Sequence, residues 1–258
     1  MKEAYQKNYW AKWEHFKNPA LRQRKARKIQ VILEEAVPGI AYWGGWALDV
    51  GCSIGMISEH FARVWPGWRV VGVDIDEDAL SLSSAGGASA IFCLGDAMCL
   101  PFPSGAFDLV LCVQVYEHVP DWRRLLREVH RVLKPGGVCF FSGPNRWFII
   151  EEHYRVPLLS WFPRPLAHWA VRWSGKAPFY YERPVSWWTL RGALRAYGFE
   201  VEDYTYRLLE DPLRFHIEGR WVQWISKWIR FFPTSFRRHL TPFLPNFNLV
   251  LRKPFCTQ

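Results

Sequence analysis

Long apolar runs are missing from this 258-residue chain: no stretch of 18 or more apolar residues occurs, so no membrane-spanning helix is expected. The segment Met1 to Lys7 lacks the apolar centre of a secretory signal. Paired cysteines are missing too. The six cysteines (Cys52, Cys93, Cys99, Cys112, Cys139, Cys256) include no C-x-x-C, and four lie in or beside apolar runs, where a free thiol packs as a small hydrophobe. This argues against a disulfide scaffold, fits a reduced, cytoplasmic setting, and gives no reason to expect a metal site. No internal repeat is visible.

What the chain does have is apolar and aromatic bulk. Hydrophobic residues make up 50% of it, enough for a sizeable core in one large domain or one domain with an appended segment. The 16 tryptophans divide between buried positions and exposed binding surfaces. The net charge of +9 is uneven: residues 1–30 carry nine Lys/Arg against two Asp/Glu, and residues 207–258 nine against three. Basic ends around a mildly acidic middle suit an anionic partner, either a membrane surface or a nucleic acid; the alternative is an ordinary solvated face.

Along the chain, residues 19–37 read as a helix stopped by Pro38-Gly39. Strands are expected at 46–50, 69–74, 90–93, 107–113 and 137–142, with helices at 55–64, 76–84 and 121–133 between them. Near-continuous apolar strands alternating with amphipathic helices indicate a parallel sheet covered on both faces. After Pro144 the composition turns to Trp, Pro and Arg, with helices expected at 163–173, 186–197 and 213–232, and strands at 199–206 and 247–251.

The segment Leu48-Asp49-Val50-Gly51-Cys52-Ser53-Ile54-Gly55 joins a strand to a helix, and its glycines let backbone approach a ligand closely. In doubly wound sheets ligands bind beyond the carboxyl ends of the strands, where this loop lies. Asp74 closes the second strand, where a carboxylate can take both hydroxyls of an adenosine ribose; Asp76 and Asp78 are better placed to cap the next helix. No G-x-G-x-x-G can be read here, so a ligand with a ribose and no phosphates fits better than a dinucleotide. S-adenosylmethionine is such a ligand.

These segments resemble the motifs of class I S-adenosylmethionine-dependent methyltransferases. Asp49 to Gly55 is similar to the first motif, D-x-G-x-G-x-G, with Ser53 in place of the middle glycine and its backbone expected in an ordinary conformation. Gly72-Val73-Asp74-Ile75 resembles the acidic second motif, and Gly95-Asp96-Ala97 with Leu100-Pro101-Phe102 the third. Phe107 to Val110, Glu117-His118-Val119 and Leu133 to Gly137 match the later motifs in order. The resemblance covers roughly residues 40–145 and is nearest the broad group that includes quinone-biosynthesis enzymes.

The resemblance implies a Rossmann-like α/β fold with a doubly wound seven-stranded sheet, mostly parallel with an antiparallel last strand. It implies that Asp49, Gly51 and Gly55 flank the methionine moiety, that Cys52 and Ser53 of the same loop bind the cofactor, and that Asp74 holds the ribose hydroxyls. Ile75 packs on adenine, Asp96 accepts from its amino group, Ala97 supplies backbone, and Gln114 lines the cofactor. The expected organisation is an N-terminal helical segment (1–40), a cofactor-binding core (41–145) and an acceptor-side insertion with a helical cap and the last two strands (146–258).

Catalytic residues are less defined. His118, in Glu117-His118, is either a general base or a structural residue, and Glu151-Glu152-His153-Tyr154 offers His153 and Tyr154 on the acceptor side or is a polar loop. Ile217, Trp221, Trp224, Ile225, Trp228 and Phe232 share one helical face, with Arg220, Gln223, Lys227 and Arg230 on another. That helix either meets a membrane interface or covers the acceptor pocket. The expected activity is methyl transfer to a small-molecule, hydrophobic or lipid-linked acceptor, with the protein cytoplasmic or peripheral at an anionic membrane. The rivals are an inactive scaffold of the same fold, a nucleotide-dependent oxidoreductase, and a nucleic-acid methyltransferase. The last is disfavoured because no N/D-P-P-Y/F motif occurs.

Overall fold

Asn18 opens the first helix, its side chain accepting from the backbone N–H groups of Ala20 and Leu21, with Pro19 in the first turn. The computed structural model describes residues 18–84 and 89–255. Residues 1–17, which carry part of the N-terminal positive charge, and Cys256 lie outside the described residues. Helix α1 (Pro19–Ala36) buries Ala26, Ile29, Ile32 and Leu33, a spacing that forms one apolar stripe. Burial of Ile29, Ile32 and Leu33 contributes about 1.5–3 kcal/mol each. A short α2 (Ile40–Trp43) leads into the sheet.

The core then alternates: β1 (Gly45–Val50), α3 (Met56–Val64), β2 (Trp68–Asp74), α4 (Glu77–Ser84), β3 (Ile91–Leu94), β4 (Phe107–Val113), α5 (Trp122–Val132) and β5 (Leu133–Pro144). Asp121 caps α5 by accepting from the N–H groups of Arg123 and Arg124. The insertion carries α6 (Arg164–Trp173) and α7 (Trp187–Ala196), followed by β6 (Glu200–Asp203), α8 (Arg207–Glu210), α9 (Arg220–Ile229), α10 (Thr234–Leu240) and β7 (Asn246–Arg252).

The seven strands run in the order β3-β2-β1-β4-β5-β7-β6. Pairing is parallel from β3 through β5, while β7 is antiparallel to both β5 and β6. One face is covered by a cluster that includes Leu125, Leu126 and Val129 of α5 and Leu190 and Leu194 of α7. The other is covered by α1 with Ile57 and Phe61 of α3. Chain direction across the sheet reverses between β1 and β4, which opens a crevice beyond their carboxyl ends. A third small cluster, Tyr154, Leu159, Ala167, Val171 and Tyr180, gives the insertion its own core.

Three elements differ from expectation. The helix expected over 213–232 is only Arg220–Ile229, because His216 and Gly219, at φ 54° and 143°, leave the helical backbone ahead of it. The strand expected over 199–206 ends at Asp203, after which the chain turns into α8. Strand β5 begins early, at Leu133, because Leu133 pairs with Phe107 before the register shifts to Val138 opposite Leu109. No described helix is long and apolar enough to cross a membrane.

Candidate active site

A cavity of about 390 Å³ lies at the switch point, a size typical of small-molecule sites. Its floor is the loop after β1. Gly51 and Gly55 adopt φ of 70° and 75°, and Ser53 joins them at 52°. The ordinary backbone expected for Ser53 is therefore wrong. The loop needs a left-handed residue there to aim its N–H at Asp74, whose Oδ2 accepts it at 2.7 Å. A Cβ on Gly51 would lie 2.7 Å from Val115 Cγ2, and one on Gly95 the same distance from Val73 Cγ2. Both glycines are dictated by close packing.

Asp74 ends β2 and lines the cavity. Its Oδ1 accepts from the Asp76 N–H at 2.9 Å, so each oxygen holds one backbone donor and has a second acceptor position. Burial pushes its carboxyl upward, and the backbone donors oppose this. Asp76 does the capping, with Oδ1 accepting from Ala79 N–H.

Of the residues expected around a cofactor, Gly51, Ser53, Asp74, Ile75, Ala97 and Gln114 line the cavity. Gln114 is left-handed at φ 59° and donates through Nε2 to Asn246 Oδ1 at 2.9 Å, tying the wall to β7. Asp49, Cys52, Gly55 and Asp96 do not line it. Asp49 is buried and accepts from Ser58 Oγ at 2.6 Å; burial pushes its carboxyl up to about 7. The Cys52 sulfur faces Gly72 instead. Gly55 packs under Phe92 and Ser83 at the start of α3. Asp96 sits between two lining residues, Gly95 and Ala97, and takes the Met98 N–H on Oδ1.

The acceptor-side candidates separate. His118 and His153 both line the cavity, their rings meeting edge to face with centroids 5.1 Å apart. Tyr154 does not; it is buried in the insertion core, its hydroxyl donating to Phe179 O at 3.4 Å. Burial and the neighbouring His153 hold His118 well below the ordinary imidazole range. For His153 burial acts downward, but the carboxylates of Glu151, Glu182 and Glu117 outweigh it and raise the ring to about 9. Glu151 Oε1 stands 3.1 Å from His153 Nδ1. Glu117 is fully buried, and that burial pushes its carboxyl up to about 8.

Several lining residues were not foreseen: Leu21, Arg22 and Lys25 from α1, and Arg155 after β5. Burial lowers Lys25 from the ordinary lysine range. Arg22 and Lys25 precede the buried Ala26 and Ile29 by four residues each, so a basic pair on the apolar stripe was the available signal.

The family profile described as "Methyltransferase domain" matches residues 48–141. A curated relative, 2-methyl-6-phytyl-1,4-hydroquinone methyltransferase of Synechocystis, is 32% identical over 152 residues, covering 55% of this chain and 46% of that protein. The ubiquinone biosynthesis O-methyltransferase of Pseudomonas paraeruginosa is 35% identical over 169 residues, covering 61% and 69% respectively. The chain thus spans about half the length of the first relative and just over two thirds of the second. Among solved structures, phosphoethanolamine N-methyltransferase 2 of Haemonchus contortus, in complex with S-adenosyl-L-methionine, shares the fold. It is 18% identical, with a TM-score of 0.54 over 92% of this chain and 57% of that one.

Proposed function

Because this chain belongs to the class I S-adenosylmethionine-dependent methyltransferases, we propose that it methylates a small molecule held at the end of the cavity bordered by His118 and His153. The observation that carries this reading is Asp74: a carboxylate at the end of β2, facing a cavity whose floor at Gly51 and Gly95 tolerates no side chain. These residues fit the cofactor. When bound, S-adenosylmethionine supplies an electrophilic methyl group on a sulfonium, which an acceptor lone pair takes as the carbon–sulfur bond breaks.

In this reading Asp74 accepts from the ribose hydroxyls, Ile75 covers the adenine, Ala97 offers backbone, and Asp96 meets the adenine amino group from beside the cavity. Gly51 and Ser53 border the methionine moiety, with Asp49, Cys52 and Gly55 shaping their loop from behind and Gln114 completing the wall. Arg22 and Lys25 face the cavity from α1 and suit a carboxylate. The chain's main contribution is to align the acceptor and exclude water. A base is needed only for a protonated, weakly nucleophilic acceptor. His153, held as an imidazolium at neutral pH, is then unsuited, whereas His118 is neutral.

Isothermal titration tests this. Wild-type protein is expected to bind S-adenosylmethionine and its demethylated product, and Asp74→Ala to weaken both by about 10–100-fold, the loss expected for hydrogen bonds to a charged group. Labelled cofactor incubated with cell extract should mark a lipid or small-molecule fraction. Label in nucleic acid would overturn the acceptor class, and binding without turnover on any fraction would favour a scaffold.

The acceptor we propose is hydrophobic or lipid-linked, met at an anionic membrane surface. Exposed Trp169 and Trp173 on α6, and Trp224, Trp228 and Phe231 on and after α9, support this, interleaved with Arg172, Lys227 and Arg230. The phytyl hydroquinone in the name of the Synechocystis relative agrees with it.

A further inference from the structure

We propose that Glu117, His118 and His153 form a binding site for a divalent transition-metal cation at the acceptor end of the cavity. The site's use in catalysis rests on the methyl-transfer reading above; the site itself stands on its donor set. One carboxylate and two imidazoles are contributed by two separate loops, after β4 and after β5, and their ligand atoms lie within 4.8 Å of one another. Donors bound to one cation at roughly 2.0–2.2 Å stand about 3.4 Å apart, so the widest pair in the cluster must close by up to about 1.4 Å. Glu117 Oε1 and His118 Nε2 are already 3.7 Å apart.

Two further observations point to a ligand. Glu117 is fully buried, yet neither side-chain oxygen has a hydrogen-bond partner among the described residues. A buried carboxyl group left without a hydrogen bond is costly whether or not it is charged, and a cation between it and the imidazoles would satisfy it. His153 is also oriented from behind. Glu151 Oε1 engages its Nδ1, and Glu151 Oε2 is fixed by the Tyr154 N–H at 2.6 Å. Such a contact belongs to the carboxylate–histidine–metal arrangement by which proteins set ring orientation and tautomer.

Two histidines with one carboxylate suit zinc or a neighbouring first-row ion better than calcium or magnesium, which prefer oxygen donors. Both histidines line the cavity, so a fourth position can face an acceptor. There the cation would polarise an acceptor oxygen and lower its proton affinity, removing the need for a side-chain base.

The test uses full-length protein stripped by a chelator and titrated with Co2+, read by visible ligand-field absorption, with Zn2+ as competitor. One cobalt per chain, displaced by zinc, is expected. Glu117→Gln, which keeps the shape of the side chain, and His153→Ala should abolish the spectrum, and Glu151→Gln should weaken binding about 10–100-fold. Calorimetry with S-adenosylmethionine on the same samples reports whether each variant is folded. A wild type that binds the cofactor but yields no cobalt spectrum overturns the metal site and leaves methyl transfer standing. Variants that keep the wild-type spectrum overturn it as well. Cobalt bound without any cofactor affinity would instead sink the methyl-transfer reading.

Discussion

Ser53 holds a backbone conformation that costs a non-glycine residue about 1–2 kcal/mol, and it does so beside a ligand cavity, where such strain collects. Its N–H bond to Asp74 is what the conformation serves. Ser53→Gly is expected to keep cofactor affinity and to change unfolding stability by no more than about 1 kcal/mol, since relief of strain is offset by a freer unfolded chain. Ser53→Val, branched at Cβ, should lose about 2 kcal/mol or more in urea unfolding; wild-type stability in that variant would contradict the left-handed loop. Asp49 makes a second prediction at this scale. Burial raises its folded pKa to about 7 from 3.8, so the folded state holds the proton more tightly than the unfolded chain. The associated stability is complete below about pH 4 and is lost as pH climbs toward 7. Asp49→Asn, which cannot ionise, should shrink the stability difference between pH 5 and pH 8 by about 2–3 kcal/mol. An unchanged difference would mean that Asp49 is not buried as a neutral acid.

Helix α9 is the element whose role its sequence leaves open, and the fold narrows the choice. It buries Ser226 and Ile229, exposes Trp224, Ile225 and Trp228, and among the described residues none of its side chains lines the cavity. These side chains face solvent rather than the acceptor end. Phe231 follows at 82% exposed, with Lys227 and Arg230 also in solvent. Aromatic rings flanked by cations suit the headgroup region of an anionic bilayer. Replacing Trp224 and Trp228 together by Ser should leave stability within about 1 kcal/mol, because both are exposed. Binding to phosphatidylglycerol vesicles, followed by flotation, should fall on the order of 100-fold for two lost indole insertions. Equal flotation of variant and wild type would remove this face from any membrane role.

At the scale of the whole molecule, the sheet was readable because its central strands are buried on both faces and therefore written as unbroken apolar runs, as in Leu109 to Cys112 and Val138 to Phe141. The glycine loop and Asp74 were readable because a phosphate-free nucleoside site constrains residue type at a strand end. Other features depend on partners distant in sequence. Arg22 and Lys25 face the cavity only because α1 packs across it, and Glu117 meets His153 only where the loops after β4 and β5 converge. Side-chain periodicity continued through Gly219 from Ile217, so the true start of α9 was hidden. Strand order carries one more consequence. Among the described strands β6 pairs with β7 alone, and Gln114 of the cavity wall leans on Asn246. As the nascent chain leaves the ribosome, β6 must wait without a pairing partner until residues 246–252 have been synthesised and slide in beside β5. Ligand competence thus arrives late and all at once, so a ribosome stalled before that point would display a largely assembled sheet with an unfinished pocket.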